Sequence, residues 1–174
     1  MKIDRHRRRL LQTIRTIGAA ARAELDEHHE HLGVKPHLGR ACAFASVLYA
    51  RSHALFMQRQ RARAKKYHES PLFPFYRTPV IGCGWFATTK DGASQHCWVE
   101  IGNVIVDLTA TQFGRFPHVR ICPRTNRRYV SLVCAGREAD ALVNHFEPSP
   151  RRRRRLLDSM VYRVIKQAES ELGR

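Results

Sequence analysis

A cysteine stands at Cys42, shortly after Gly39 and directly before the apolar run Ala43, Phe44, Ala45. That placement reads as the mouth of a helix, where unpaired backbone N–H groups and the helix dipole favour negative charge. A thiol held there loses its proton more readily and becomes a nucleophile. The same N–H groups can receive the oxyanion that develops on an attacked carbonyl. Further along, Gln95-His96-Cys97-Trp98-Val99-Glu100 is followed by Val104-Ile105-Val106-Asp107-Leu108-Thr109. On a strand His96, Trp98 and Glu100 share one face, and the Gly102-Asn103 turn would fold Asp107 back beside them. A carboxylate that orients an imidazole, which in turn holds a thiolate, is what a Cys-His-Asp triad requires for acyl chemistry. Register decides whether it forms, because a one-residue slip turns Asp107 to the opposite face.

Each of these residues also has a plainer reading. A free cysteine in an Ala-rich helix start is ordinarily a small buried hydrophobe. A strand histidine is ordinarily a hydrogen-bonded structural residue, and an aspartate at a strand end a turn former. Of the other four cysteines, Cys83 lies between Gly82 and Gly84 in a predicted strand without a helix dipole to activate it, and Cys97 alternates with His96 and would face away from it. Five cysteines, an odd number with no CxxC pair, argue against both a disulfide framework and a cysteine-rich zinc site. The run Glu27-His28-His29-Glu30-His31 offers metal-ligating side chains, but no distant fourth ligand accompanies it, and a polar helix end is the simpler account. The reading therefore calls for no metal and no cofactor.

The elements that must hold these residues can be read from periodicity. Ile3, Leu10, Leu11, Ile14, Ile17 and Ala21 recur at helical spacing and predict a helix from residue 2 to about 31, with Gly33 as its stop. A second helix is predicted from Ala41 to Lys66, its end from Gln58 onward basic and directed to solvent. Pro71, Pro74 and Pro79 predict extended loop. Strands are predicted over Val80–Thr88, Gln95–Ile101, Asn103–Leu108 and Tyr129–Ala135, with Asp91-Gly92 as a further turn. A helix over Arg137–Phe146, a linker at Pro148-Ser149-Pro150 and an amphipathic helix over Arg151–Leu172 complete the chain. The sum is α+β: a catalytic helix on a small antiparallel sheet, flanked by terminal helices. Residues 1–35 are read as an N-terminal basic helix, 36–147 as the catalytic domain, and 148–174 as a C-terminal basic amphipathic helix.

The stretch His96-Cys97-Trp98-Val99-Glu100, with Asp107-Leu108-Thr109 after it, resembles the His-x-Trp-x-Glu and downstream Asp-x-Thr signature of transglutaminase-like proteins. These belong to the wider papain-like group of cysteine enzymes, in which a cysteine at a helix start precedes the histidine strand and then the aspartate strand. The order Cys42, His96, Asp107 is the same, and the resemblance spans roughly residues 38–113. It implies attack of the Cys42 thiolate on an amide or ester carbonyl, giving an acyl-enzyme that water or an amine resolves. A protease, a glutamine deamidase and a transglutaminase all fit, and compact enzymes of this kind often act as toxins or effectors. The chain departs from the pattern in two places. Ala41 and Ala43 flank the cysteine where an aromatic residue is usual, with Phe44 two residues on. His37 stands where papain-type enzymes carry an upstream glutamine. The oxyanion or substrate-binding candidates are therefore His37, Gln112 and Trp98, with Gln12 more remote.

A formal net charge of +16 draws the chain toward polyanions. The charge gathers in Arg5–Arg9, Arg59–Lys66 and Arg151–Arg155, and five consecutive arginines repel one another unless an anion neutralises them. Aromatic residues suited to stacking on bases are sparse within these runs, and no helix-turn-helix, zinc-finger or ribonucleoprotein motif occurs. The expected partner is a protein or peptide substrate of acidic character, with nonspecific nucleic-acid contact in addition and no membrane. The alternative reading is a basic nucleic-acid-binding or scaffolding protein with an inactive thiol-enzyme fold. The charged start lacks the apolar core of a signal peptide, so a cytoplasmic setting is expected.

Overall fold

The apolar stripes form the helices that their spacing predicts. The computed structural model describes residues 2–30, 41–67, 78–88, 92–134 and 150–173. Helix α1 spans Lys2–His28 and buries Ile14, Ile17, Ala21 and Leu25 completely, one turn after another. Helix α2 spans Cys42–Lys66, and every residue from Ala43 to Tyr49 is buried. A helix that is buried all round must be a central one, and α2 packs against the sheet as well as against both other helices. Beyond Gln58 it emerges, with Arg59, Arg61, Arg63, Lys65 and Lys66 exposed. Helix α3, Pro150–Leu172, buries Leu157, Met160, Val161, Val164, Ile165 and Ala168 against α1 and α2. Pro150 is its first residue rather than part of a linker; a proline at that position lacks only an N–H that a helix start leaves unpaired anyway. Among the described residues no helix is long and apolar enough to cross a membrane.

Five strands form one antiparallel sheet: β1 Val80–Ala87, β2 Ala93–Ile101, β3 Val104–Asp107, β4 Arg120–Pro123 and β5 Tyr129–Cys134. Their spatial order is β4-β3-β2-β1-β5. Among the described residues the fold is α+β, three helices on one face of this sheet. Strand β4 has no counterpart in the sequence reading. It is four residues long, ends in Pro123 and lacks apolar alternation, so only its pairing with β3 defines it. The predicted helix over Arg137–Phe146, the prolines Pro71 and Pro74, and the Gly33 stop lie outside the described residues.

The sheet has two buried faces. Ile81, Val99, Ile101, Val106 and Leu108 join the helices in the main core. On the far face Phe86, Trp98, Ile105 and Tyr129 form a second cluster, backed by Phe113, Phe116 and Cys122. The Gly102-Asn103 turn joins β2 to β3, with Gly102 at φ 60°. It pairs Val99 with Val106 and Glu100 with Ile105. This register settles the question left open by the sequence: Asp107 falls on the same face as Ile105, Trp98 and His96.

Candidate active site

Asp107 is the best-satisfied polar group in the far-face cluster. Its Oδ1 accepts the Thr109 backbone N–H at 2.8 Å and the Thr109 hydroxyl at 3.3 Å. Its Oδ2 lies 2.7 Å from His96 Nε2 and accepts the Tyr129 hydroxyl at 2.9 Å. The bond from Thr109 explains the Asp-x-Thr spacing physically, since an aspartate that caps the N–H two residues on ends β3 in a turn. Both the carboxylate and the imidazole have no exposed side-chain surface, and a buried charge survives only when paired and hydrogen-bonded. Burial alone would raise Asp107; the His96 charge and hydrogen bond, with Thr109 and Tyr129, hold it below the ordinary carboxylate range.

His96 stands between this carboxylate and the start of α2. Burial opposes its ionisation, but the Asp107 charge and hydrogen bond override that, and with Cys42 they push the ring up to about 9. Phe113 meets the ring edge-on at 4.9 Å, and Phe86 at 5.7 Å. With Nε2 committed to Asp107, Nδ1 is the nitrogen turned away from the carboxylate, and Gln112 Nε2 lies 3.0 Å from it.

Cys42 is the first residue of α2, behind the buried Ala41. No side chain caps this helix start, which leaves its first N–H groups without partners inside the helix. The half-buried thiol interacts with Cys97 and with the His96 ring. The Cys97 interaction does most to lower its pKa, burial opposes, and the His96 interaction and charge add to the lowering; the outcome lies well below an ordinary thiol. The structure thus brings Cys42 into interaction with the hydrogen-bonded His96–Asp107 pair.

The remaining sequence candidates separate. Gln112 sits in a 3-10 turn, Ala110–Phe113, beside His96. Trp98 cannot contact a substrate directly: it is 1% exposed and donates its indole N–H to Glu100 Oε1 at 3.1 Å. Glu100 is held in turn by Arg124 at 2.8 Å. The His-x-Trp-x-Glu alternation is therefore a buried scaffold, with Trp98 edge-to-face on Tyr129 at 5.1 Å. His37 lies outside the described residues, and Gln12 is exposed on α1. In the Glu27–His31 run, His28 hydrogen-bonds Arg163 at 3.1 Å, and Arg163 also pairs with Glu24, joining α1 to α3. His31 lies outside the described residues. Among the described residues no group of three or more His, Cys, Asp or Glu side chains is placed to hold a metal ion.

Two site residues had no signal in the sequence reading. Tyr129 opens β5, and nothing local ties it to an aspartate 22 positions earlier. Arg22, 5% exposed on α1, donates to the Leu108 carbonyl at 2.8 Å and to Thr111 Oγ1 at 3.2 Å. It thereby braces the segment that carries Asp107 and Gln112. Arg22 lies one turn before Leu25 on α1, but spacing does not say which distant carbonyl its guanidinium reaches. Comparison with known protein families, with characterised proteins and with solved structures finds no match for this chain.

Proposed function

We propose that this chain is a thiol-dependent hydrolase or acyltransferase acting on amide bonds of a protein or peptide, with a papain-like or transglutaminase-like arrangement of its catalytic residues. The observation that carries the reading is the buried His96–Asp107 pair at 2.7 Å, whose ring interacts with a cysteine at an uncapped helix start. A histidine kept only for structure would not need to stand against the single thiol placed at a helix mouth.

In the proposed reaction the Cys42 thiolate attacks the amide carbonyl. The backbone N–H groups at the start of α2 receive the oxyanion. With Nδ1 already protonated at neutral pH, the Gln112 amide nitrogen beside it has no acceptor there and donates to the same oxyanion. One such donor is worth about 10²–10³ in rate. The His96 imidazolium delivers its Nδ1 proton to the leaving amine, and the acyl-enzyme forms. Neutral His96 then deprotonates water, or an acceptor amine, to release the acyl group. Asp107 keeps the proton-bearing tautomer oriented throughout and does not itself take the proton. The exposed arginines and lysines of α2 and the +16 charge favour a substrate of acidic character.

Site-resolved iodoacetamide labelling at pH 7 tests the nucleophile. Cys42 is expected to alkylate about 10-fold or more faster than the other thiols, and His96→Ala to remove that advantage. Equal rates at all five would sink the reading and favour the binding-protein alternative. Ammonia release from glutamine, amine incorporation and the appearance of new N-termini then separate deamidase, transglutaminase and protease.

A further inference from the structure

The Cys42 thiol does not end its contacts at His96. On the helix-facing side of the sheet, Cys97 of β2 and Cys83 of β1 are directly paired across the strands, and their sulfurs stand 3.0 Å apart. Cys97 also interacts with Cys42. Three thiols therefore neighbour one another in series: Cys42 half-buried at the helix mouth, the buried Cys97 next to it, and the half-buried Cys83 beside Cys97. The pairing of β1 with β5 shifts register between Cys83 and Gly84, and glycines flank Cys83 on both sides, so the strand carrying it has little side-chain bulk to resist a small movement. An S–S bond of about 2.0 Å asks the Cys83 and Cys97 sulfurs to close by only about 1 Å. Acyl transfer uses neither Cys83 nor Cys97.

We propose that Cys42, Cys97 and Cys83 form a thiol relay that reduces a hydroperoxide and returns Cys42 to its nucleophilic form, storing the oxidation as a Cys83–Cys97 disulfide. The relay rests on the ionised Cys42 of the proposed function. In the first step the Cys42 thiolate attacks the outer peroxide oxygen. The O–O bond breaks, sulfur is oxidised by two electrons to the sulfenic acid, and the departing alkoxide takes a proton from His96 and leaves as an alcohol. In the second step the Cys97 sulfur attacks the sulfenic sulfur; the S–O bond breaks, and the Cys97 proton leaves with the hydroxyl as water. In the third, Cys83 attacks the Cys97 sulfur and expels Cys42 as a thiolate, its own proton returning through water to His96. Exchange runs in this direction because the thiol of lowest pKa is the best leaving group. That thiol is Cys42, since interactions with Cys42 and Cys83 drive Cys97 strongly upward. The partial exposure of Cys83 then admits an external thiol, which reduces the disulfide and closes the cycle.

The test is one equivalent of hydrogen peroxide at pH 7, followed by peptide mapping without reductant. The wild-type protein is expected to yield a Cys83–Cys97 cross-link, with Cys42 free and alkylating within about twofold of its untreated rate. Cys83→Ser should stop the relay one step earlier: a Cys42–Cys97 cross-link accumulates, and Cys42 alkylation falls about 10-fold or more until dithiothreitol restores it. Cys97→Ser should leave a dimedone-reactive sulfenic acid on Cys42 that excess peroxide carries to the sulfinic acid. The wild-type result needs no substitution and so does not depend on how any variant folds. Oxidised Cys42 with Cys83 and Cys97 both still reduced overturns the relay; if untreated Cys42 alkylates rapidly, the acyl-transfer reading survives that result. Cys42 alkylating no faster than the other thiols, with no cross-link formed, removes both.

Discussion

The Tyr129 hydroxyl meets Asp107 Oδ2 at 2.9 Å although their strands, β5 and β3, are separated by β1 and β2. In a flat sheet three strand spacings of about 4.8 Å would lie between them. The contact exists because the sheet curls around Phe86, Trp98 and Tyr129 on its far face, where Arg120 also stacks 5.5 Å from the Tyr129 ring. The orientation of the His96–Asp107 pair is thus coupled to the curvature of the sheet.

Tyr129→Phe keeps the ring and its packing and removes one donor from Asp107. The carboxylate becomes less well held, its pKa rises, and His96 falls from about 9. A less firmly held imidazolium lowers Cys42 less, so the low-pH limit of rapid Cys42 alkylation should rise by about 0.5–1 unit, with a stability loss of about 1–2 kcal/mol. An unchanged alkylation profile would show that the hydroxyl does not position the carboxylate.

Asp107→Asn tests the ion pair directly. In the wild type Cys42 ionises well below the ordinary thiol range while His96 stays protonated up to about 9. Its alkylation rate should therefore be nearly flat across neutral pH, whereas an ordinary thiol speeds up about 10-fold per unit toward its pKa near 8.5. Without the carboxylate the imidazolium is no longer favoured and the thiolate loses its counter-charge. The rate at pH 7 should fall about 10-fold or more and the profile should take the shape of a free thiol.

His53 sets an acid limit on stability. It is fully buried on α2, stacked on Tyr49 at 5.7 Å, and burial pushes its pKa down to about 4. A depressed folded value means that the unfolded chain binds a proton which the folded chain refuses. The stabilising contribution is present above about 6.5 and lost as pH falls toward about 4, amounting to roughly 3 kcal/mol by linkage. His96 acts in the opposite direction, its contribution being full below about 6.5 and lost as pH rises through about 9. Urea midpoints at pH 7 and pH 5 should differ in wild type, and His53→Leu should flatten that difference.

Gly82→Ala probes the scaffold beneath the site. A Cβ at Gly82 would stand 2.5 Å from Trp98 Nε1 and 3.1 Å from Glu100 Oε1. Trp98 is packed against Tyr129 and cannot yield freely, so the substitution should cost about 1–3 kcal/mol and slow Cys42 alkylation at the same time. A loss of stability with unchanged alkylation would separate the Trp98–Glu100 scaffold from the triad.

Much of the local structure was legible because its signals are local. The stripes Ile14, Ile17, Ala21 and Leu157, Met160, Val161, Val164 lie on the helices their spacing predicts. The Gly102-Asn103 turn joins the two strands it was expected to join, and Cys42 is the first residue of a helix. His96 and Asp107 were identifiable from alternation and from the Asp-x-Thr spacing, which a side-chain to backbone bond of two residues' reach explains. Strand β4 and the brace from Arg22 were not, because pairing with a distant strand and a bond to a distant carbonyl leave no periodic trace in the chain.

Residue order by itself determined which side chains could do chemistry, which elements carry them, and that Cys42 meets a helix dipole. Tertiary structure alone decided the register that turns Asp107 toward His96, the curl that delivers Tyr129, the seclusion of Trp98 as scaffold, and the pairing of Cys83 with Cys97 near Cys42. The division follows from range. Backbone hydrogen bonds and side-chain periodicity act over a few residues, whereas strand register and sheet curvature come from how two faces of one sheet are filled at once, by the helices on one side and the aromatic cluster on the other.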